Sequence, residues 1–168
     1  MKNLFIRLST ILIIVFINTG LRAADMNPKV ASLETKSEHQ KVIERLPFQN
    51  TEDFKLAKKG LLAKPDLLII KDETGRVVWD MTDLDYLDAD RPDTVNPSLW
   101  RQARLNAIYG LFEVKKGIYQ VRGYDLANVT FIRGNTGWII VDPLTTTQTM
   151  DAAMKLVDNH FGKLPVKA

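Results

Sequence analysis

Cysteine is absent from the 168 residues, which excludes a disulfide framework and any thiolate metal site. Histidine is nearly absent: His39 and His160 are the only two, and neither stands in a His-x-His spacing. Structural zinc sites typically take four convergent ligands and catalytic ones three, so no metal ligand is assigned in this chain, and no catalytic residue either. No apolar run reaches the roughly 20 residues that cross a bilayer. The longest, Leu8 to Ile17, follows a basic start (Lys2, Arg7) and precedes the small residue Ala23, the pattern of a secretory signal peptide at residues 1–23. That segment also lacks acid. The excess of 23 Lys+Arg over 20 Asp+Glu is carried entirely by Lys2, Arg7 and Arg22, so the mature part balances. A nucleic-acid binder keeps its basic excess on the folded domain, and that class is excluded. Localisation is expected to be periplasmic or secreted, with no stable membrane span.

What is present is ordinary globular composition, 45% hydrophobic and 26% charged, enough for one modest domain. No internal repeat or low-complexity segment occurs. Asp25 to about Thr35 has no apolar period and reads as a leader, followed by a weakly helical stretch from Ser37 to Leu46. After the Leu46-Pro47-Phe48 break, Asn50 to Leu62 is expected as a helix capped by Asn50 or Thr51, with Phe54, Ala57, Leu61 and Leu62 near one stripe and Lys55, Lys58 and Lys59 solvated. Leu67–Lys71 and Arg76–Trp79 flank Asp72-Glu73-Thr74-Gly75, a hairpin by turn chemistry. The acidic stretch from Asp80 to Asp93 lacks the Gly and Glu of a calcium-binding EF-hand loop and reads as a solvated loop.

The sharpest helix start is Asn96-Pro97, an N-cap followed by a proline at the first helical position. Leu99 and Ala103 are expected to pack inward. Arg101 and Arg104, three apart on another face, are the candidate anion contacts by fork geometry, against the alternative of solvated or ion-paired arginines. From Gly110 the period changes to two. Leu111–Val114, Ile118–Arg122, Val129–Arg133 and Trp138–Val141 are expected as successive antiparallel strands, followed by a helix from Thr145 to about His160.

Two β-rich runs around Gly134-Asn135-Thr136-Gly137 end on Asp142-Pro143, and this unit resembles the first motif of the metallo-β-lactamase fold. Three further blocks carry a narrower likeness: Thr94 to Gln102 (with Asn-Pro-Ser-Leu-Trp-Arg-Gln), Gly110 to Val114, and Ile118 to Phe131. From about Leu46 to Ala168 the chain resembles the N-terminal region of the secreted alkylsulfatases of the metallo-β-lactamase superfamily, which hydrolyse alkyl sulfates such as dodecyl sulfate. The resemblance implies an α/β fold, the N-terminal part of an αββα sandwich, with residues 24–106 as leader helices and hairpin and 107–168 as the first strands and helix of the metallo-β-lactamase-like domain. It also implies two zinc ions in the parent enzyme, none of them bound by this chain, an alkyl sulfate substrate, and a homodimer formed through regions absent here.

In that family the next strand leads into a His-x-His-x-Asp-His metal loop. The sequence ends on Leu164 to Ala168, read as the opening of another buried strand, before such a loop appears. The expectation is therefore a truncated alkylsulfatase, inactive alone. Asp142 matches the family's strand-end Asp, which steadies the metal loop from behind the ligands without ligating metal; turn statistics allow equally an Asp that opens the turn and caps the following helix. Asn128 matches an Asn beside the first strand, with a structural role near the site. The reading from another class is a non-catalytic secreted domain that binds an amphiphile or a protein. A lactam or thioester substrate within the superfamily is disfavoured by the Asn96–Gln102 block.

Overall fold

The computed structural model describes residues 29–168, so the signal-peptide reading of residues 1–23 lies outside the described residues. The chain is α/β, built on a five-stranded sheet in the order β1-β4-β5-β6-β7, with a separate two-stranded hairpin β2-β3. The strands are β1 Leu61–Ala63, β2 Ile69–Lys71, β3 Val77–Asp80, β4 Gly110–Lys115, β5 Ile118–Arg122, β6 Val129–Arg133 and β7 Trp138–Val141. The helices are α1 Leu33–Arg45, α2 Glu52–Lys58, α3 Pro97–Asn106 and α4 Thr147–Phe161, with a 3₁₀ helix at Thr82–Asp88.

The period-two runs form strands because alternate residues meet one core. Leu111, Tyr119, Val121, Val129, Phe131 and Trp138 share a face of the sheet and are buried beneath Ala153 and Val157 of α4, Ile70 of β2 and Leu68 just before it. In-register pairs Leu111–Val121, Val121–Val129 and Tyr119–Phe131 stack this face in rows. Tyr119, Phe131, Trp138 and Phe161 pack edge-on or tilted, with centroids 4.5 to 6.0 Å apart. Truncating a buried aromatic in such a cluster typically costs about 3–5 kcal/mol. The α4 helix begins where Thr146 accepts a hydrogen bond from the Thr149 amide. As expected, α3 starts on Asn96, whose side chain accepts from the Ser98 amide, with Pro97 next.

Several local expectations are corrected. Helix α1 begins at Leu33, earlier than the leader reading allowed, because Ser32 caps it through the Thr35 amide. The helix expected over Asn50–Leu62 stops at Lys58. Gly60 turns the chain at φ 78°, and Leu61 and Ala63 then pair with Phe112 and Leu111 as an edge strand. A Cβ at residue 60 would stand 2.2 Å from the Glu113 carbonyl oxygen, so the approach to β4 requires glycine. Sheet pairing thus overrides the helical stripe of Leu61 and Leu62, and residues before 107 contribute a strand to the main sheet.

The acidic stretch is partly ordered as the 3₁₀ helix, pinned by the buried Leu87 and by Asp80 accepting from the Thr82 amide and hydroxyl. Leu99 does not pack inward: it is 63% exposed, and the buried positions of α3 are Pro97 and Trp100, the latter tilted against Tyr86 at 5.9 Å. The segment after α4 does pair with the sheet, parallel to β7 through Trp138 and Val166, and makes the sheet mixed. It is an exposed edge and not a buried strand, with Val166 51% exposed. Gly137 makes this pairing possible, since a Cβ there would lie 2.1 Å from the Pro165 carbonyl oxygen.

Candidate functional site

Strands β5 and β7 run in the same direction, because each is antiparallel to β6, so their C-terminal ends emerge at one edge of the sheet. That edge gathers Arg122, the Gly123–Asn128 loop and the Asp142–Thr146 turn. The turn is unusual in its backbone: Asp142 and Leu144 both hold positive φ, 57° and 64°, although neither is glycine. Such conformations typically cost about 1–2 kcal/mol per residue and persist where the surroundings fix them. The Leu144 amide donates to the Asp142 carbonyl at 2.8 Å across Pro143, closing a three-residue turn.

What fixes the turn is Asp125. The residue is 7% exposed, and its carboxylate accepts from the Thr145 amide at 2.8 Å, the Thr145 hydroxyl at 2.6 and 2.8 Å, the Thr149 hydroxyl at 2.8 Å and the Leu126 amide at 2.6 Å. Burial opposes ionisation of this carboxyl, but the donors of Thr145, Thr149 and Leu126 together outweigh it and hold the pKa below the ordinary carboxylate range. Asp125 therefore ties the β5–β6 loop to the turn after β7 and to the first turn of α4. No signal in the sequence singled it out, since its partners lie 20 and 24 residues further on.

Asp142 itself is exposed, and no hydrogen bond to its carboxylate is present among the described residues. It opens the turn, but the cap of α4 is Thr146. Asn128 is also exposed, at the start of β6 on the same edge, and borders a cleft with Arg122. Arg101 and Arg104 sit elsewhere, on α3. Arg101 forms a bidentate pair with Asp53 at 2.6 and 2.9 Å and donates to the carbonyls of Phe48 and Asn50. Its pairing holds the Asp53 carboxyl below the ordinary range. Four of the contacts a guanidinium can make are thus internal, and Arg101 bolts α2 to α3. Arg104 is exposed, its guanidinium 5.5 Å from the centre of the Phe54 ring, with no ion pair among the described residues.

The two histidines do not meet. The Nδ1 of His39 lies 3.0 Å from the Asp93 carbonyl oxygen, and His160 packs edge-on to Phe161 in the last turn of α4. Among the described residues no three His, Cys, Asp or Glu side chains converge as a metal ion requires. No described helix is long and apolar enough to cross a membrane.

No family model matches the chain. Individual proteins do. The (R)-specific secondary-alkylsulfatase of Pseudomonas sp. is 45% identical over 162 residues, which is 96% of this chain and 24% of that protein. The linear primary-alkylsulfatase of Pseudomonas sp. is 42% identical over 152 residues, 89% of this chain and 23% of that protein. Among solved structures, the stereoselective inverting sec-alkylsulfatase Pisa1 from Pseudomonas sp. superimposes with a TM-score of 0.76 at 49% identity, covering 82% of this chain and 22% of that one. The chain spans about a quarter of the length of the curated relatives it matches. In sequence and fold this chain is thus similar to about that quarter of the length of proteins named alkylsulfatases.

Proposed function

We propose that the chain forms part of an alkylsulfatase that hydrolyses alkyl sulfate esters such as dodecyl sulfate. The observation that carries this is the 45% identity to a secondary-alkylsulfatase along 96% of the chain, joined to a TM-score of 0.76 with a sec-alkylsulfatase structure. The enzyme is exported to the periplasm or beyond after cleavage near Ala23, and dimerises through regions outside the described residues. Its sheet is one layer of an αββα metallo-β-lactamase sandwich, with residues 24–106 as leader, of which β1 joins the sheet, and 107–168 as the first strands and helix of that domain. The face opposite the core supports a second layer: Ile118, Ile132 and Ile139 lie in register across β5, β6 and β7, and Ile139 and Val141 are 42% and 51% exposed.

The described residues do not fit the zinc pair that the resemblance implies, because no ligand set converges among them. The zinc ligands are proposed to come from outside these residues. What this stretch supplies is the rigid edge on which such a centre is assembled. Asp142, exposed on its left-handed turn and with no hydrogen bond to its carboxylate among the described residues, accepts a hydrogen bond from a metal-holding group brought to that edge and fixes its orientation. Asn128 stands beside it. Of the two candidate anion contacts, Arg104 has the freer guanidinium, since Arg101 is engaged by Asp53.

The test places this chain in the Pseudomonas secondary-alkylsulfatase in exchange for its matching segment and adds Asp142→Asn. Zinc content or alkyl sulfate turnover is expected to fall about 10–100-fold with an unchanged melt, the usual cost of losing a partner behind the ligands. Unchanged zinc and turnover would leave Asp142 as a turn residue only. The 168-residue chain by itself should retain no stoichiometric zinc after dialysis; retention would overturn the assignment of the ligands elsewhere.

A further inference from the structure

Between the ends of α2 and β1, the 3₁₀ helix and the C-terminal end of α3 lies a cleft of about 490 Å³. That volume is within the roughly 300–1,000 Å³ of small-molecule sites. Its floor is apolar, made by Met81, Leu84, Leu87 and Ile108, with Leu61 and Leu67, 43% and 68% exposed, at the rim. Tyr109, which also lines it, is held from behind. Gly123, at φ 76°, lets the tyrosine approach so closely that a Cβ there would lie 2.4 Å from the Tyr109 Cβ.

Charges of both signs stand around this apolar surface. Lys58, Lys64 and Arg104 reach it from α2, the end of β1 and α3, and Asp66, Asp85 and Asp88 from the approach to β2 and the 3₁₀ helix. Asp85 and Asp88 are three apart, one turn of a 3₁₀ helix, so they fall on one side of it. All six residues are exposed and none forms an ion pair among the described residues, so opposite charges stand more than 4.0 Å apart. Two of the cations are nevertheless held in place. The Lys64 ammonium lies 4.6 Å from the centre of the Tyr109 ring and the Arg104 guanidinium 5.5 Å from that of Phe54. Contact with an aromatic face leaves their N–H donors free for a guest. A guest that answers both signs carries an ammonium and a carboxylate with apolar groups between them. Taken as a cube, the cleft is about 8 Å on edge, close to the roughly 7 Å that two extended residues span.

We infer that this cleft binds a short apolar peptide with free termini, about two residues long, its ammonium on Asp85 and Asp88, its carboxylate on Lys64 and Arg104 and its side chains over Leu84 and Ile108. An alkyl sulfate has no cation for the two aspartates, so the guest differs in class from the proposed substrate, and the inference does not require the hydrolytic reading. Binding to the 168-residue chain is measured by titration calorimetry with leucyl-leucine, beside its N-acetyl form, its C-terminal amide and glycyl-glycine, each of which lacks one of the three features. Leucyl-leucine is expected to bind at least about tenfold more tightly than any of the others, the scale of one charge-assisted hydrogen bond or of the lost apolar contact. Asp85→Asn with Asp88→Asn should bring leucyl-leucine down to the affinity of its N-acetyl form and leave that form unchanged. Lys64→Met with Arg104→Met should do the same relative to the amide. All four positions are exposed, so both double variants should keep the parental melt. No measurable binding of leucyl-leucine, equal binding of the four peptides, or a preference that survives its matching double variant would overturn the assignment.

Discussion

Replacing Asp125 should loosen one corner of the molecule and leave the rest of the core in place. The carboxylate serves the amides of Leu126 and Thr145 and the hydroxyls of Thr145 and Thr149. These donors are not equal. Thr145 and Leu126 are exposed and regain water when the carboxylate is removed, whereas Thr149 is 1% exposed and keeps only the carbonyl and hydroxyl of Thr146, each at 3.0 Å. Hydrogen bonds to a charged group contribute about 1.5–3 kcal/mol each, and the rehydrated donors recover much of theirs. The left-handed Asp142 and Leu144 lose their tie at the same time. The net cost of Asp125→Ala is then about 3 kcal/mol, against about 1–2 for Asp125→Asn, which keeps one acceptor oxygen, and about 1 for Thr149→Val. At about 3–4 °C per kcal/mol, the alanine variant should melt about 10 °C lower. Because the folded pKa lies below the unfolded value near 3.9, this contribution is present above about pH 4 and is lost as pH falls through the folded value, so acid should narrow the gap between wild type and Asp125→Asn. Equilibrium denaturation of the set at pH 7 and pH 3 is the assay. A cost for Asp125→Ala within about 1 kcal/mol of zero, or below that of Thr149→Val, would refute the account of the turn.

Burial pushes the Tyr124 phenol up to about 12, so its stabilisation is complete below the unfolded pKa near 10 and lost as pH rises towards 12. Denaturation between pH 9 and pH 12 should show a loss of about 2–3 kcal/mol that Tyr124→Phe removes. Gly60→Ala should cost about 2–4 kcal/mol, because strain at φ 78° adds to the clash with the Glu113 carbonyl. Gly75→Ala, at φ 86° with open space around it, should cost about 1; equal costs would mean that β1 does not press on β4 as described.

Strands β5 and β6 were legible because their burial alternates: Tyr119, Val121, Val129 and Phe131 are buried while their neighbours along the chain are less so. Asn96-Pro97 was legible for a local reason, a cap and a donor-free residue where donors are unused. Leu61 and Leu62 misled because a helical stripe and a short edge strand look alike over three residues, and only the partner strand β4 decides. Leu99 misled because Trp100, beside it, competes for the same burial. The site divides in the same way. Asp142 stood out by its place at a strand end, whereas Asp125 acquires meaning only from Thr145 and Thr149, which folding brings from distant parts of the sequence.

The most direct measurement is sulfate release from alkyl sulfates by the Pseudomonas secondary-alkylsulfatase in which this chain replaces the matching segment, the 45% identical stretch. If the chain supplies the same edge, turn and core, the exchanged enzyme folds, holds its metal and hydrolyses alkyl sulfates within about tenfold of the parent, since well-packed cores tolerate hydrophobic substitution at conserved volume. A cooperatively melting exchange protein that releases no sulfate would contradict the assignment.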